Sequence, residues 1–191
     1  MEYAIKLKNV TKTFGNVVAN KDVSLEIRKG EILALLGENG SGKTTLLNMI
    51  AGIYYPDSGE VLVNGKPVEI RSPKDAYRLG IGMIHQHFKL IDVFTATENI
   101  ALGLEKNEKF DLKEVRKKAQ AICEKYHFDM DFDQKVYSMS VSQKQTLEII
   151  KVLYRGADIL ILDEPTAVLT PQETQKLFEV MRNMKKTAKR W

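Results

Sequence analysis

Apolar residues at the start of the chain recur at every second position. Tyr3–Val10 (YAIKLKNV) and Val23–Ile27 (VSLEI) alternate, and Gly59–Gly65 (GEVLVNG) predicts a short strand closed by turn residues. Ile32–Gly37 (ILALLG) is a continuous apolar run, which predicts a strand buried on both faces. It leads into a glycine-rich turn and a helical stretch, Lys43–Gly52 (KTTLLNMIAG), stopped by Gly52. Ile81–Gln86 (IGMIHQ) predicts another strand.

The period then changes. Asp111–Phe128 keeps Val115, Ala119, Ile122, Cys123 and Tyr126 on one helical face and opens with Asp111 and Glu114 in capping-box spacing. A second helix is predicted from near Ser140, carrying Leu147, Ile150 and Leu153. Asp158–Pro165 (DILILDEP) predicts a buried strand ended by Pro165. Thr170, Pro171 and Glu173 supply a last helix with an N-cap, a first-position proline and a capping-box partner. Its Leu177, Phe178, Val180, Met181 and Met184 fall three or four apart, a face that must be buried against something. The predicted order is a β-rich start with the first part of an α/β core (1–87), a helical insertion (88–154) and a return to the core (155–191), all within one domain.

Composition adds limits. At 191 residues the chain is long enough for one substantial core. A formal charge of +4, spread without clusters, is compatible with anionic ligands or a membrane surface and does not single out nucleic acid. Cys123 stands alone, so no disulfide framework or paired-cysteine metal site is expected, and its helical neighbours predict a buried, inert thiol. The N-terminus lacks the apolar core of a signal peptide, and the apolar runs are too short to span a bilayer. A reducing cytoplasm fits these features.

Gly37 to Thr45 (GENGSGKTT: Gly37, Glu38, Asn39, Gly40, Ser41, Gly42, Lys43, Thr44, Thr45) satisfies G-x-x-x-x-G-K-[ST]. Glycines let successive backbone N–H groups turn inward around a polyphosphate, and the following helix adds its positive end. Lys43 is expected to reach the terminal phosphates and the Thr44 hydroxyl to hold Mg²⁺. Asp163 is expected at the carboxyl end of a buried strand, where ligands sit in α/β sheets, with Mg²⁺ as its natural partner. Glu164 would point to the γ-phosphate and orient or deprotonate a water. Alternatively, the two carboxylates merely end a strand.

These motifs together resemble the ATP-binding cassette ATPases, over essentially the whole chain. The resemblance implies a P-loop NTPase (RecA-like) α/β core with an N-terminal antiparallel β subdomain and an α-helical insertion. It implies that Phe14 in TKTFG stacks on adenine. It also implies that Gln86 in MIHQHF links core to insertion and senses Mg²⁺ and the γ-phosphate. Met139–Gln143 (MSVSQ) stands where the family places Leu-Ser-Gly-Gly-Gln, so Ser140, Ser142 and Gln143 are implied to face ATP held by an opposing cassette. Val141 and Ser142 replace glycines that permit the closest approach. Ser140 and Gln143 are equally spaced as a capping box. Thr170 occupies a position that is commonly Asp in the family, and it doubles as an N-cap.

The pattern is especially similar to the first of two fused cassettes in bacterial importers for nucleosides and simple sugars. That likeness implies an ATP-hydrolysing subunit using ATP and Mg²⁺ on the cytoplasmic face of the membrane. It would be peripheral there, meeting permease subunits through Phe88 to Gly103 and, indirectly, a substrate-binding protein; nucleic acid is not an expected partner. Family members continue past the last helix into another strand and a switch histidine. His85, His87 and His127 do not occupy that place and are expected to have local roles. The chain is thus expected to be C-terminally incomplete, with its last helix partly unsupported. A cassette ATPase outside transport and a nucleotide-binding module without turnover remain as alternatives.

Overall fold

The computed structural model describes residues 2–85, 88–102, 104, 111–167 and 169–188, the side chains of 187 and 188 excepted. They form two compact units, Met1–Gly82 and Met83–Trp191.

The first unit is built on an antiparallel sheet. Strands β1 (Tyr3–Phe14) and β2 (Val17–Arg28) make a long hairpin, with Phe14 opposite Val17 at its tip. Strand β3 (Ser58–Val63) pairs on the other side of β1, and β4 (Lys66–Val68) closes the order β2-β1-β3-β4. Asn64 and Gly65 join β3 to β4 with φ of 51° and 78°, the left-handed pair that a two-residue hairpin turn requires. The predicted alternation holds only in part: Ala4, Ile5, Leu7 and Val10 are buried, with a register shift between Leu7 and Val10, while Val23, Leu25 and Ile27 are half-buried. Met49 and Ile50 from helix α1 (Lys43–Ile50) are among the other buried side chains of the unit. A short helix, α2 (Pro73–Arg78), starts at Ser72, whose hydroxyl accepts from the Asp75 N–H. The expectation for Ile32–Gly37 does not hold. The segment joins neither sheet, and Leu36 is 92% exposed. An apolar run becomes a buried strand only where neighbours supply ladder bonds and cover both faces, and this unit offers it neither.

The second unit gathers helices. Strand β5 (Ile81–Ile84) enters it and β6 (Ile159–Leu162) lies beside β5, with Asp163 N–H donating to the Ile84 carbonyl at 3.2 Å. Helices α3 (Ala96–Ala101), α4 (Leu112–Tyr126), α5 (Val141–Tyr154) and α6 (Pro171–Ala188) surround one core. Ala119, Val136, Leu147 and Ile150 lie at its centre, fully buried. The cap of α4 differs from expectation: Asp111 accepts from Lys113 N–H at 2.9 Å, an Asx-type closure two residues on. His127 ends α4 in the left-handed region, a local role as expected. Burial pushes the Cys123 thiol up to about 11, so it is inert at neutral pH.

The last helix is better supported than expected. Leu177 is buried in the core, and Val180, Met181 and Met184 pack against it. The reason is that α4 and α5 present apolar faces to α6. Phe178 is left 41% exposed. Among the described residues no helix is long and apolar enough to cross a membrane.

Candidate functional site

The phosphate-loop residues lie in the first unit, and Gly42 sets their geometry. It precedes α1 with φ of 85°, in the left-handed region. A Cβ there would stand 2.3 Å from the Ala19 carbonyl oxygen and 2.7 Å from Asn20 Nδ2, both on β2. Only glycine permits this approach. Asn20, itself buried, donates from Nδ2 to the Gly42 carbonyl at 3.3 Å and fixes the loop from behind. A Cβ at Gly37 would meet Ser41 Oγ at 2.8 Å, whereas Gly40, at φ of 82°, faces open space.

Lys43 turns back over the loop. Its Nζ donates to the carbonyls of Gly37 and Glu38 at 2.7 Å each, and Ser41 N–H donates to the Glu38 carbonyl at 3.2 Å. Glu38, Asn39 and Gly40 stay exposed, as does Thr44 in the first turn of α1. That turn has no acidic residue, so the positive end of the helix is not offset by its own side chains. A glycine-shaped cradle, an ammonium and a helix N-terminus fit a polyphosphate.

Phe14 stands at the end of β1, 42% exposed, with Tyr54 edge-on at 5.1 Å and Lys12 Nζ 5.5 Å from its ring centre. Asp57 holds this corner: it accepts from Lys12 Nζ, Thr13 N–H and Thr13 Oγ1, each at 2.7 Å. The Lys12 hydrogen bond, followed by those from Thr13, lowers the Asp57 carboxyl to about 2. Because the folded value lies below the ordinary 3.8, this contribution is complete above that value and is lost as pH falls towards 2. Following the Asp57 carboxyl carbon by NMR should give a midpoint near 2. A midpoint within about half a unit of the ordinary carboxylate would mean that the corner is not held this way. Sequence reasoning named Phe14 but missed Tyr54 and Asp57, forty or more residues downstream.

In the second unit, β6 delivers Asp163 and then Glu164, which is exposed and has φ of 47°. Gln145 Nε2 donates to the Pro165 carbonyl at 3.0 Å, and Ala167 N–H donates to the Glu164 carbonyl at 3.2 Å. A cavity of about 10 Å³, the size of one water, is bordered by His85, Phe88, Gln145, Asp163 and Glu164. Burial, helped by the nearby Lys89 charge, lowers the His85 pKa against the opposing pull of Glu148 and Asp163, so its neutral form dominates at neutral pH. Gln86 and His87 lie outside the described residues, as does Gly103.

Ser140 is the N-cap of α5. Its Oγ accepts from Gln143 N–H at 3.2 Å while Gln143 Oε1 accepts from Ser140 N–H at 2.8 Å, a complete capping box. Ser142 Oγ lies 3.2 Å from Ser140 Oγ, and its N–H points to Glu173 Oε1 at 3.4 Å. Glu173 also closes the capping box of α6, accepting from Thr170 N–H and Oγ1 at 3.0 Å each. These bonds, the Thr170 backbone first, hold its carboxyl below the usual range.

Helix α5 carries a row of polar side chains of which the sequence reading singled out only Ser142. Ser142, Gln145, Glu148 and Lys151 recur every third residue. Glu148 Oε1 accepts from Lys89 N–H at 2.8 Å and Lys151 Nζ donates to the Lys89 carbonyl at 2.8 Å, clamping the backbone just after Gln86. The two side chains pair with each other at 3.3 Å, about nine-tenths buried. Asn99, fully buried, secures the same segment through both backbone groups of Ile91.

The sequence model of a family described as "ABC transporter" matches residues 20–167. The nucleoside import ATP-binding protein NupA of Lactococcus lactis is 53% identical over 190 residues, which are 98% of this chain and 38% of that protein. The guanosine import ATP-binding protein NupO of Bacillus subtilis is 49% identical over 99% of this chain and 38% of its own length. This chain therefore spans about two fifths of the curated relatives it matches. Among solved structures, the ADP conformation of an ATP-binding cassette of an ABC transporter superposes with a TM-score of 0.88 at 27% identity, covering 98% of this chain and 78% of that one. Family match, near-complete alignment and shared fold lead to one assignment: the chain belongs to the ABC transporter family.

Proposed function

We propose that the chain is the ATP-binding and ATP-hydrolysing part of an importer for nucleosides or simple sugars. The observation that carries the chemistry is the phosphate loop, where Gly42 is pressed against β2 and Lys43 is already directed into the cradle. The cargo class follows the two nucleoside importers that align over nearly all of this chain.

In this reading Gly37 to Thr45 bind the phosphates, with Lys43 neutralising the terminal ones, and Phe14 stacks on the adenine. Thr44, Gln86 and Asp163 would hold Mg²⁺, which offsets charge on the phosphate oxygens. Among the described residues no three His, Cys, Asp or Glu side chains gather as a metal cluster. Glu164 orients and deprotonates the attacking water, with Gln86 beside the γ-phosphate. Ser140, Ser142 and Gln143 serve the nucleotide of a second, head-to-tail cassette. A solved bacterial ABC transporter cassette, 30% identical with a TM-score of 0.77, is dimeric, which supports pairing of cassettes. Residues 1–87, 88–154 and 155–191 act as parts of one cassette. Permease subunits hold it at the cytoplasmic membrane face, a substrate-binding protein delivers cargo to them, and nucleic acid is not a partner.

The test is phosphate release from Mg-ATP by the purified protein, with nucleotide binding measured on the same sample and with EDTA as control. Mg²⁺-dependent binding and release support the reading. Binding without release leaves a nucleotide-binding module, and failure to bind Mg-ATP sinks the assignment. Retention on nucleic acid but not with a membrane permease would instead favour a cassette outside transport.

A further inference from the structure

Gln145 lies in the middle of α5 with only 5% of its surface exposed. A buried amide is costly unless its polar atoms are used, and Nε2 is used on the Pro165 carbonyl at 3.0 Å. Pro165 follows Glu164, whose φ of 47° is rare for a residue with a side chain. Residues before proline are normally driven to extended conformations, so this backbone is held against its own preference. Such strain persists where the surroundings fix it. Asp163 N–H to the Ile84 carbonyl secures the turn on one side, and Ala167 N–H to the Glu164 carbonyl secures it on the other, both at 3.2 Å. The Gln145 bond acts between them, through a side chain that also borders the small cavity beside Asp163 and Glu164.

We infer that Gln145 is a positioning residue for Glu164: its amide locks the Pro165 carbonyl and thereby fixes where the Glu164 carboxylate points. The inference rests on the hydrolytic role proposed for Glu164. Gln145 itself touches no reacting atom in it. A misplaced catalytic group loses rate while the nucleotide still binds, because the phosphate loop is built from other residues.

Two variants decide it. Gln145→Met keeps the length and removes the donor; kcat should fall about 10- to 100-fold with ATP affinity within about twofold of the parent. Gln145→Glu can donate only while its carboxyl is protonated. Its kcat relative to the parent at the same pH should therefore climb as pH falls, whereas the Gln145→Met ratio stays flat. A purely structural role would lower ATP affinity or thermal stability together with kcat in both variants, whereas a positioning role lowers kcat alone. Turnover of Gln145→Met within about twofold of the parent overturns the inference, as does a flat Gln145→Glu ratio. If Gln145→Met does not fold, Gln145→Glu decides: its kcat ratio must climb as pH falls while its ATP affinity and melting temperature stay level, and a parallel change of all three overturns the inference. If the parent protein releases no phosphate, it is the proposed hydrolysis that falls. Hydrogen exchange at the Ala167 amide then decides the positioning role in nucleotide-free protein. Faster exchange in Gln145→Met, reversed in Gln145→Glu at low pH, supports it; unchanged exchange overturns it.

Discussion

Glu164→Gln should lower phosphate release from Mg-ATP at least about 100-fold while ATP affinity stays within about threefold, the signature expected of a lost general base. The substitution preserves size and hydrogen-bonding shape and removes only the charge and basicity. Glu164 is suited to this role by its place at the end of β6, exposed, on a turn fixed by backbone bonds on both sides. Because it makes no part of the phosphate loop, binding should be spared. Single-turnover phosphate release beside equilibrium binding separates the two effects. Wild-type turnover in the variant would remove Glu164 from the chemistry and leave it as the end of a strand.

The second large effect is expected at Lys43. Lys43→Ala should weaken ATP binding by about 100-fold, because a charge-assisted bond to phosphate is worth about 1.5–3 kcal/mol and the ammonium makes more than one. Loss of loop shape adds to this. The same Nζ donates to the Gly37 and Glu38 carbonyls, so its removal leaves both without that donor. Lys43→Arg is no remedy, since the planar fork cannot replace a compact ammonium on two converging carbonyls. Titration calorimetry with ATP and with AMP distinguishes the causes. AMP lacks the terminal phosphates and should lose far less affinity than ATP; equal losses for the two would point to general collapse of the loop. ATP affinity within about threefold of the parent would rule out the assigned role.

Much of the local geometry around the candidate site was legible because it depends on short spacings. The phosphate loop needs glycines and a lysine at fixed spacing, and the capping boxes at Ser140 and Thr170 span only three residues. The helix starts they mark are those observed. Where the answer depended on distant partners, the sequence was silent. Nothing near Phe14 announces that Asp57 and Tyr54 will brace it. Gln145 and Glu148 read as polar positions on a helix, yet both are buried, because backbone carbonyls and N–H groups of other segments meet them there. The opposite error arose at Ile32–Leu36, where an apolar run implied burial that only packing can provide. Local spacing also misplaced one bond: Asp111 and Glu114 match a capping box, but the carboxylate closes on Lys113 instead. Short-range geometry decides caps and loops, whereas burial is a property of what arrives from elsewhere.

The row Ser142, Gln145, Glu148, Lys151 steps by three along a helix that turns every 3.6 residues. Each step therefore falls short of a full turn by about 60°, and the three steps together by about 180°, over a rise of about 13.5 Å. Ser142 and Lys151 thus lie on opposite sides of α5, one beside Glu173 and the other on Lys89. If α5 rolled about its long axis, these two attachments would be displaced sideways in opposite directions.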